Sequence, residues 1–256
     1  MKLAGLFILL VLGLMIFSLF LKLAFLIKES KFDGAHKFNI ELMAKDKVSV
    51  VSFSPSNKSL TILLIKEEVN KDNLSKSLGI PIDGKIVSED NLSKNNLSFI
   101  LLKSVFPLRN LVKDINIVDL IRLSMFLRTV SEASVYEREL SDKFNDVQKS
   151  TIISLSFTDP TIYEENQTIE VINAAKVYGI GGRLANLISH MGGNVVFVSS
   201  GDKTEKISKI IYSGNLTYTV KKLSSYLNFV LEKKDKKSIA DVIIIIGTDR
   251  VGSSKF

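Results

Sequence analysis

The sequence predicts a protein of mixed α/β and α+β class, hung from a single N-terminal transmembrane helix and ending in a βαββαβ two-layer sandwich. Three observations predict it. Leu3–Leu21 is uncharged and almost wholly apolar. Strand-like runs at 48–53, 60–65, 168–173 and 242–246 are rich in Val, Ile and Leu, and segments with helical spacing lie among them. A glycine turn, Gly179–Gly182, joins one such strand to a helix whose apolar positions are 184, 187, 188 and 191.

At about 1.5 Å per residue the first segment is long enough to cross a hydrocarbon core of about 30 Å. The helix extends to Ile27 if Lys22 snorkels. A cleavable signal peptide is the competing reading, but the apolar stretch is too long for one and no Ala-x-Ala site follows it. Residues 1–27 are therefore expected to be a retained anchor. Lys22, Lys28, Lys31 and Lys37 flank its far side, a bias that alone would hold the large portion in the cytoplasm.

A linker is expected at 28–46. Val48–Phe53 and Leu60–Ile65 then form a hairpin around Ser54-Pro55-Ser56-Asn57, within a domain expected at 47–158. Phe99–Phe106 reads as core. Asn116 and Asp119 suggest an N-cap and acidic first turn for a helix whose apolar face holds Val118, Ile121 and Met125, with Leu120 and Leu127 more loosely placed. Arg122 and Arg128 lie off that face and are candidate ligand contacts, although exposed helical arginines are mostly solubilising.

Asp159-Pro160 opens a linker at 159–166, and a last domain is expected at 167–250 before a tail at 251–256. In it the strand Thr168–Asn173 precedes the glycine turn, Val195–Val198 and Ile207–Tyr212 follow the helix, and Thr217 caps a second helix. That helix is read through Tyr218, Val220, Leu223, Leu227 and Leu231, with Lys233, Lys234, Lys236 and Lys237 near its C-terminal end. Val242–Ile246 reads as a central strand buried on both faces. Strand, glycine turn and helix can also cradle a dinucleotide, with Asp202 near the ribose position. Against this, the third glycine of that fingerprint falls at Leu184, and eight residues from Ser199 to Lys206 are too few for a crossover helix.

Ile169-Glu170-Val171-Ile172-Asn173, Gly179 ahead of Arg183 and Ala185, Gly192-Gly193 before Val195-Val196, and Asp241-Val242 closing on Gly247-Thr248-Asp249 together resemble the LytR C-terminal domain. Ala174-Ala175 stands where that family usually has a Gly-Thr pair. The hairpin at 48–65 is similar to the opening hairpin of LytR-CpsA-Psr domains. There the second strand runs into an arginine-containing element that serves a polyprenyl-pyrophosphate. Here the matching positions are Lys66, Glu67, Glu68 and Val69, and Leu78-Gly79-Ile80-Pro81-Ile82-Asp83 follows almost at once. The resemblance implies an extracytoplasmic envelope protein whose LytR-CpsA-Psr-like domain is reduced.

Net charge is +7 and the pI near 9.3, but the lysines are spread along the chain without interleaved aromatics, which argues against nucleic acid. The chain has no cysteine and only His36 and His190, so disulfides and Cys- or His-rich metal sites are excluded. No catalytic residue, cofactor or metal ligand is assigned. The candidate ligand contacts are Arg122, Arg128, Arg183, Lys221 and Lys222. Expected partners are the membrane, peptidoglycan or an anionic envelope glycopolymer, and an envelope protein. The function expected is a non-catalytic binding or assembly factor, anchored by one helix in the cell membrane. The alternatives are a divergent glycopolymer phosphotransferase, using Arg109, Arg122, Arg128 or Arg138 with Glu67 or Glu68 on Mg²⁺, and a dinucleotide-binding enzyme.

Overall fold

The computed structural model describes residues 2–44, 47–66, 73–90, 96–105, 111–234 and 239–256. Helix α1 (Lys2–Lys28) is apolar all round, touches the body only at its C-terminal end, and is long and apolar enough over Gly5–Lys28 to cross a membrane. A helix with no polar face has no use for water on any side.

The first sheet follows directly. Strands β1 (Phe38–Ala44), β2 (Lys47–Ser54) and β3 (Ser59–Ile65) form an antiparallel meander. Pro55–Asn57 makes the β2–β3 turn, closed by Lys58 at φ +48. Next come α2 (Leu74–Leu78), β4 (Gly84–Ser88), α3 (Leu97–Lys103), β5 (Leu111–Lys113), α4 (Ile117–Leu127), β6 (Val135–Leu140) and α5 (Asp146–Phe157), giving the order β5-β4-β1-β2-β3-β6. Both faces of this sheet are covered, which explains its unbroken apolar runs. Val51, Phe53, Leu60 and Ile62 pack under α3 and α4, while Val48, Val50, Leu63 and Ile65 pack against α2, α5 and Ile80–Ile82.

The second sheet holds β7 (Thr168–Asn173), β8 (Asn194–Ser200), β9 (Lys209–Tyr212), β10 (Val230–Lys233) and β11 (Val242–Ile246), in the order β10-β9-β11-β7-β8. Helices α7 (Ile180–His190) and α8 (Tyr218–Leu227) cover one face through Leu184, Leu187, Ile188, Val220 and Leu223. The sheet is therefore one layer and the helices the other.

Several expectations need correction. Residues 28–46 carry β1, and 159–166 carry a short helix, α6 (Pro160–Glu165), capped by Asp159. The second helix stops at Leu227 because Asn228 turns left-handed at φ +56, which moves Leu231 and Lys233 into β10 and extends the predicted order by one strand. Lys236 and Lys237 lie outside the described residues. In β11 only Val242, Ile244 and Ile246 are buried, since the face carrying Ile243 and Ile245 has no helix over it. On α4 the capping box of Asn116 and Asp119 is present, but the buried side chains are Asp119, Leu120, Leu123 and Ser124. Ile121 and Met125 point outward.

The two sheets form one body. Tyr226 Oη of α8 accepts from Ile82 N at 2.9 Å, and His190 of α7 reaches Gly79 O at 2.9 Å and Ser150 Oγ at 2.9 Å. Asp159 Oδ2 accepts from Tyr218 Oη and from Lys37 N, while Lys37 Nζ donates to Ser156 O. Burial holds the Lys37 ammonium down to about 8, against the pull of Asp159 and with a further push from Arg138.

Candidate binding site at the foot of the membrane helix

A crevice of about 700 Å³ opens where α1 meets the body. Three parts of the chain meet there. Asn116, the N-cap of α4, donates its amide to Leu26 O in the last turn of α1. Asp119, one turn into α4, accepts from Ser30 Oγ at 2.7 Å, Phe32 N at 2.8 Å and Asn116 N at 3.0 Å. These bonds engage both carboxylate oxygens and fix the path of Ser30–Phe32 along the wall. The opposite wall is α8, with Lys222, Ser225 and Tyr226, and Lys255 arrives from the C-terminal tail.

The charges divide unequally between spent and available groups. Lys222 pairs with Asp83 at 2.9 Å, and Asp83 also accepts from Asn39 N. Lys31 donates to a neutral acceptor, Asp114 O. Lys255 lies with its ammonium 4.0 Å from the Tyr226 ring centroid and has no ion pair among the described residues. Burial lowers the Lys255 ammonium; Lys31 and Lys222 push the same way, while Asp83 and Asp114 oppose them. Glu29 and Asp114 are the rim carboxylates. The crevice thus presents cations beside an aromatic ring, an arrangement suited to a phosphate or carboxylate attached to an apolar or sugar body.

The five predicted contacts do not converge. Lys222 lines this crevice, whereas Lys221 on the same helix is exposed outside it. Arg183 lines a separate cleft with Lys76, Asp146, Lys149 and His190. Arg128 lines a small groove with Leu60 and Val135. Arg122 Nη1 donates to Ser30 Oγ and Phe32 O, so its guanidinium ties the juxtamembrane segment to α4. Arg138 lies on β6, outside the groove that Arg128 lines. Arg109, Glu67, Glu68 and Val69 lie outside the described residues. Sequence reasoning missed Lys31, Lys255 and Tyr226, because they are brought together only by the packing of α8 and the tail beneath α1.

Among the described residues, Gly179–Gly182 line none of these crevices. Residues 201–208 cross the C-terminal ends of β7 and β11, with Gly201 N on Asn173 O, Glu205 N on Ala174 O and Thr248 N on Glu205 O. A dinucleotide needs that space over the strand ends. Lys176 Nζ also donates to Gly201 O, closing the loop onto the turn. The motif residues hold this crossing in place. Asp249 Oδ1 accepts from Ser208 N and Oγ, and Ser208 Oγ accepts from Gly247 N, while at the opposite ends of β7 and β11 Asp241 Oδ2 ties the two strands by accepting from Thr168 N and Oγ1.

Residues 166–249 match the family described as LytR cell envelope-related transcriptional attenuator. The match runs from β7 through the Gly247–Asp249 turn, the block likened above to the LytR C-terminal domain, and it associates the protein with the cell envelope. No curated protein matches the chain. A fragment of Lmo1026 from Listeria monocytogenes, described as a transcriptional factor, aligns over 69% of this chain and 85% of its own at 12% identity. Its TM-score of 0.19 is too low to define a shared fold.

Proposed function

We propose that the protein is a non-catalytic binding and assembly factor of the bacterial cell envelope, held to the membrane by α1 with its two-sheet body on the extracytoplasmic side. Its ligand is an anionic envelope glycopolymer or its membrane-linked form, seated in the crevice at the foot of α1. The observation that supports this reading most directly is Lys255, a half-buried ammonium 4.0 Å from the Tyr226 ring centroid with no carboxylate at ion-pair distance among the described residues. Asp83 and Asp114 act on this ammonium only from beyond ion-pair distance, so an anionic ligand in the crevice would supply the direct pair it lacks. The crevice also joins the membrane helix to α8, so a ligand there contacts anchor and LytR C-terminal block together.

The test is retention of the full chain, in detergent micelles, on purified cell walls with and without their anionic glycopolymer. Retention that needs the polymer and falls several-fold in Lys255→Gln is the expected result. Equal retention of both proteins, or of both wall preparations, refutes this site. Mg²⁺-dependent transfer of a polyprenyl-pyrophosphate-linked glycan by the purified protein would refute the non-catalytic assignment.

A further inference from the structure

The buried residues of α4 leave a second apolar stripe on its outer side. Ile117, Ile121 and Met125, spaced by one helical turn, are 44%, 41% and 61% exposed. Beside them α3, joined to α4 through Ser98 and Ser124, exposes Phe99 and Leu102 to 57% and 41%. Both helices bury their other sides on the first sheet, so these five side chains lie together on the outside of one layer. A contiguous apolar surface of this kind marks an interaction site.

Its position identifies the occupant. Ile117 follows Asn116, the residue that bonds the last turn of α1, so the stripe starts where the membrane helix joins the body. Glu29–Lys31 alone separate the helix end from the buried Phe32, and Ser30 N donates to Ile27 O, leaving no slack to carry the body away from the bilayer. The charge fits as well. The acid within α4, Asp119, is 1% exposed, and α3 contains none. The basic residues at the margins are Arg122, Arg128 and Lys103, of which Lys103 lies over the Phe99 ring at 5.5 Å and is paired with Asp90 at 2.6 Å. An apolar strip whose two helices carry no exposed carboxylate of their own, with Arg122 and Arg128 at its margin, matches the boundary between acyl chains and anionic headgroups.

We propose that the outer surface of the α3–α4 layer rests on the membrane, with Phe99, Leu102, Ile117, Ile121 and Met125 entering the headgroup–acyl boundary. This fixes the tilt of the whole body and sets the crevice at the headgroup layer. The inference rests on α1 crossing the bilayer.

The chain has no cysteine, so each introduced one is a unique labelling site. The full chain is reconstituted into phosphatidylglycerol–phosphatidylcholine vesicles, and spin labels are placed at Phe99→Cys, Ile121→Cys and Met125→Cys. Leu12→Cys reports the membrane helix, and Val147→Cys, 75% exposed on α5 across the first sheet, reports water. Collision with oxygen and with a water-soluble nickel chelate is then measured. The expected result is that Phe99, Ile121 and Met125 labels favour oxygen several-fold over the Val147 label, as the Leu12 label does. A lipid-like Leu12 label with water-like labels at the other three overturns the proposal and leaves the anchor standing. A water-like Leu12 label overturns both. Labels on α3 and α4 shielded from oxygen and nickel alike show a protein partner or second copy on this face, and also overturn it.

Discussion

Gly247 shows what a motif glycine does here. A Cβ at this position would lie 2.7 Å from the Ile207 carbonyl carbon and 2.9 Å from its amide nitrogen, so the crossing loop can pass only over a bare α-carbon. Those contacts are backbone and cannot swing aside. Gly247→Ala is expected to cost about 1–3 kcal/mol through overpacking, read as a lowered Tm of the detergent-solubilised chain. His190 gives a pH dependence. Its Nδ1 must donate to the Gly79 carbonyl, which leaves Nε2 to accept from Ser150, and that tautomer is neutral. Burial lowers its pKa below the ordinary 6.5, partly offset by the Gly79 bond. The unfolded chain therefore binds the proton first, so stability from this residue is present above about pH 6.5 and is lost as pH falls through that value. Tm measured from about pH 7.5 to about pH 5 should fall more steeply for the parent than for His190→Gln.

At the scale of elements, α4 holds the chain together at the end of α1. Its capping box was legible from Asn116 and Asp119, since an Asn with an acid three residues later is a local signal. The further bonds of Asp119 to Ser30 and Phe32 were not, because they join positions far apart in the chain. Asp119→Ala removes the acceptor of a buried backbone amide and two further donors, and is expected to cost about 3 kcal/mol. A Tm drop with faster proteolysis at Glu29–Lys31 is the check. The apolar face of α4 misled the sequence reading for a physical reason. Periodicity reports which residues are apolar, but a helix between sheet and bilayer has two apolar sides, so Ile121 and Met125 look like core from their spacing alone. The end of α8 was hidden in the same way, because Asn228 carries little warning of a left-handed turn.

For the whole molecule, the joint between the sheets is the consequential feature. The hexapeptide Leu78–Asp83 supplies Gly79, Ile82 and Asp83 to His190, Tyr226 and Lys222. Burial also raises the Tyr226 phenol, keeping it neutral and able to donate to Ser75 Oγ while accepting from Ile82 N. Tyr226→Phe leaves that amide without its acceptor. It should cost about 1–3 kcal/mol, with loss of hydrogen-exchange protection at the Ile82 amide as the local readout. Protection unchanged at Ile82 would mean the joint is held by its other bonds.

The sequence by itself determined the apolar N-terminal helix, the β2–β3 hairpin, the α/β alternation and the LytR-type block. Each is written in local composition, in periods of two or 3.6, or in turn residues a few positions apart. Tertiary structure decided which apolar faces are covered, where the glycine turn is roofed over, and that Lys31, Lys222, Lys255 and Tyr226 share one crevice. Those outcomes depend on contacts between residues as distant as Ile82 and Tyr226, which bring Lys31 and Lys255 into one crevice. Such contacts leave no period in the chain, because the packing of separate elements creates them.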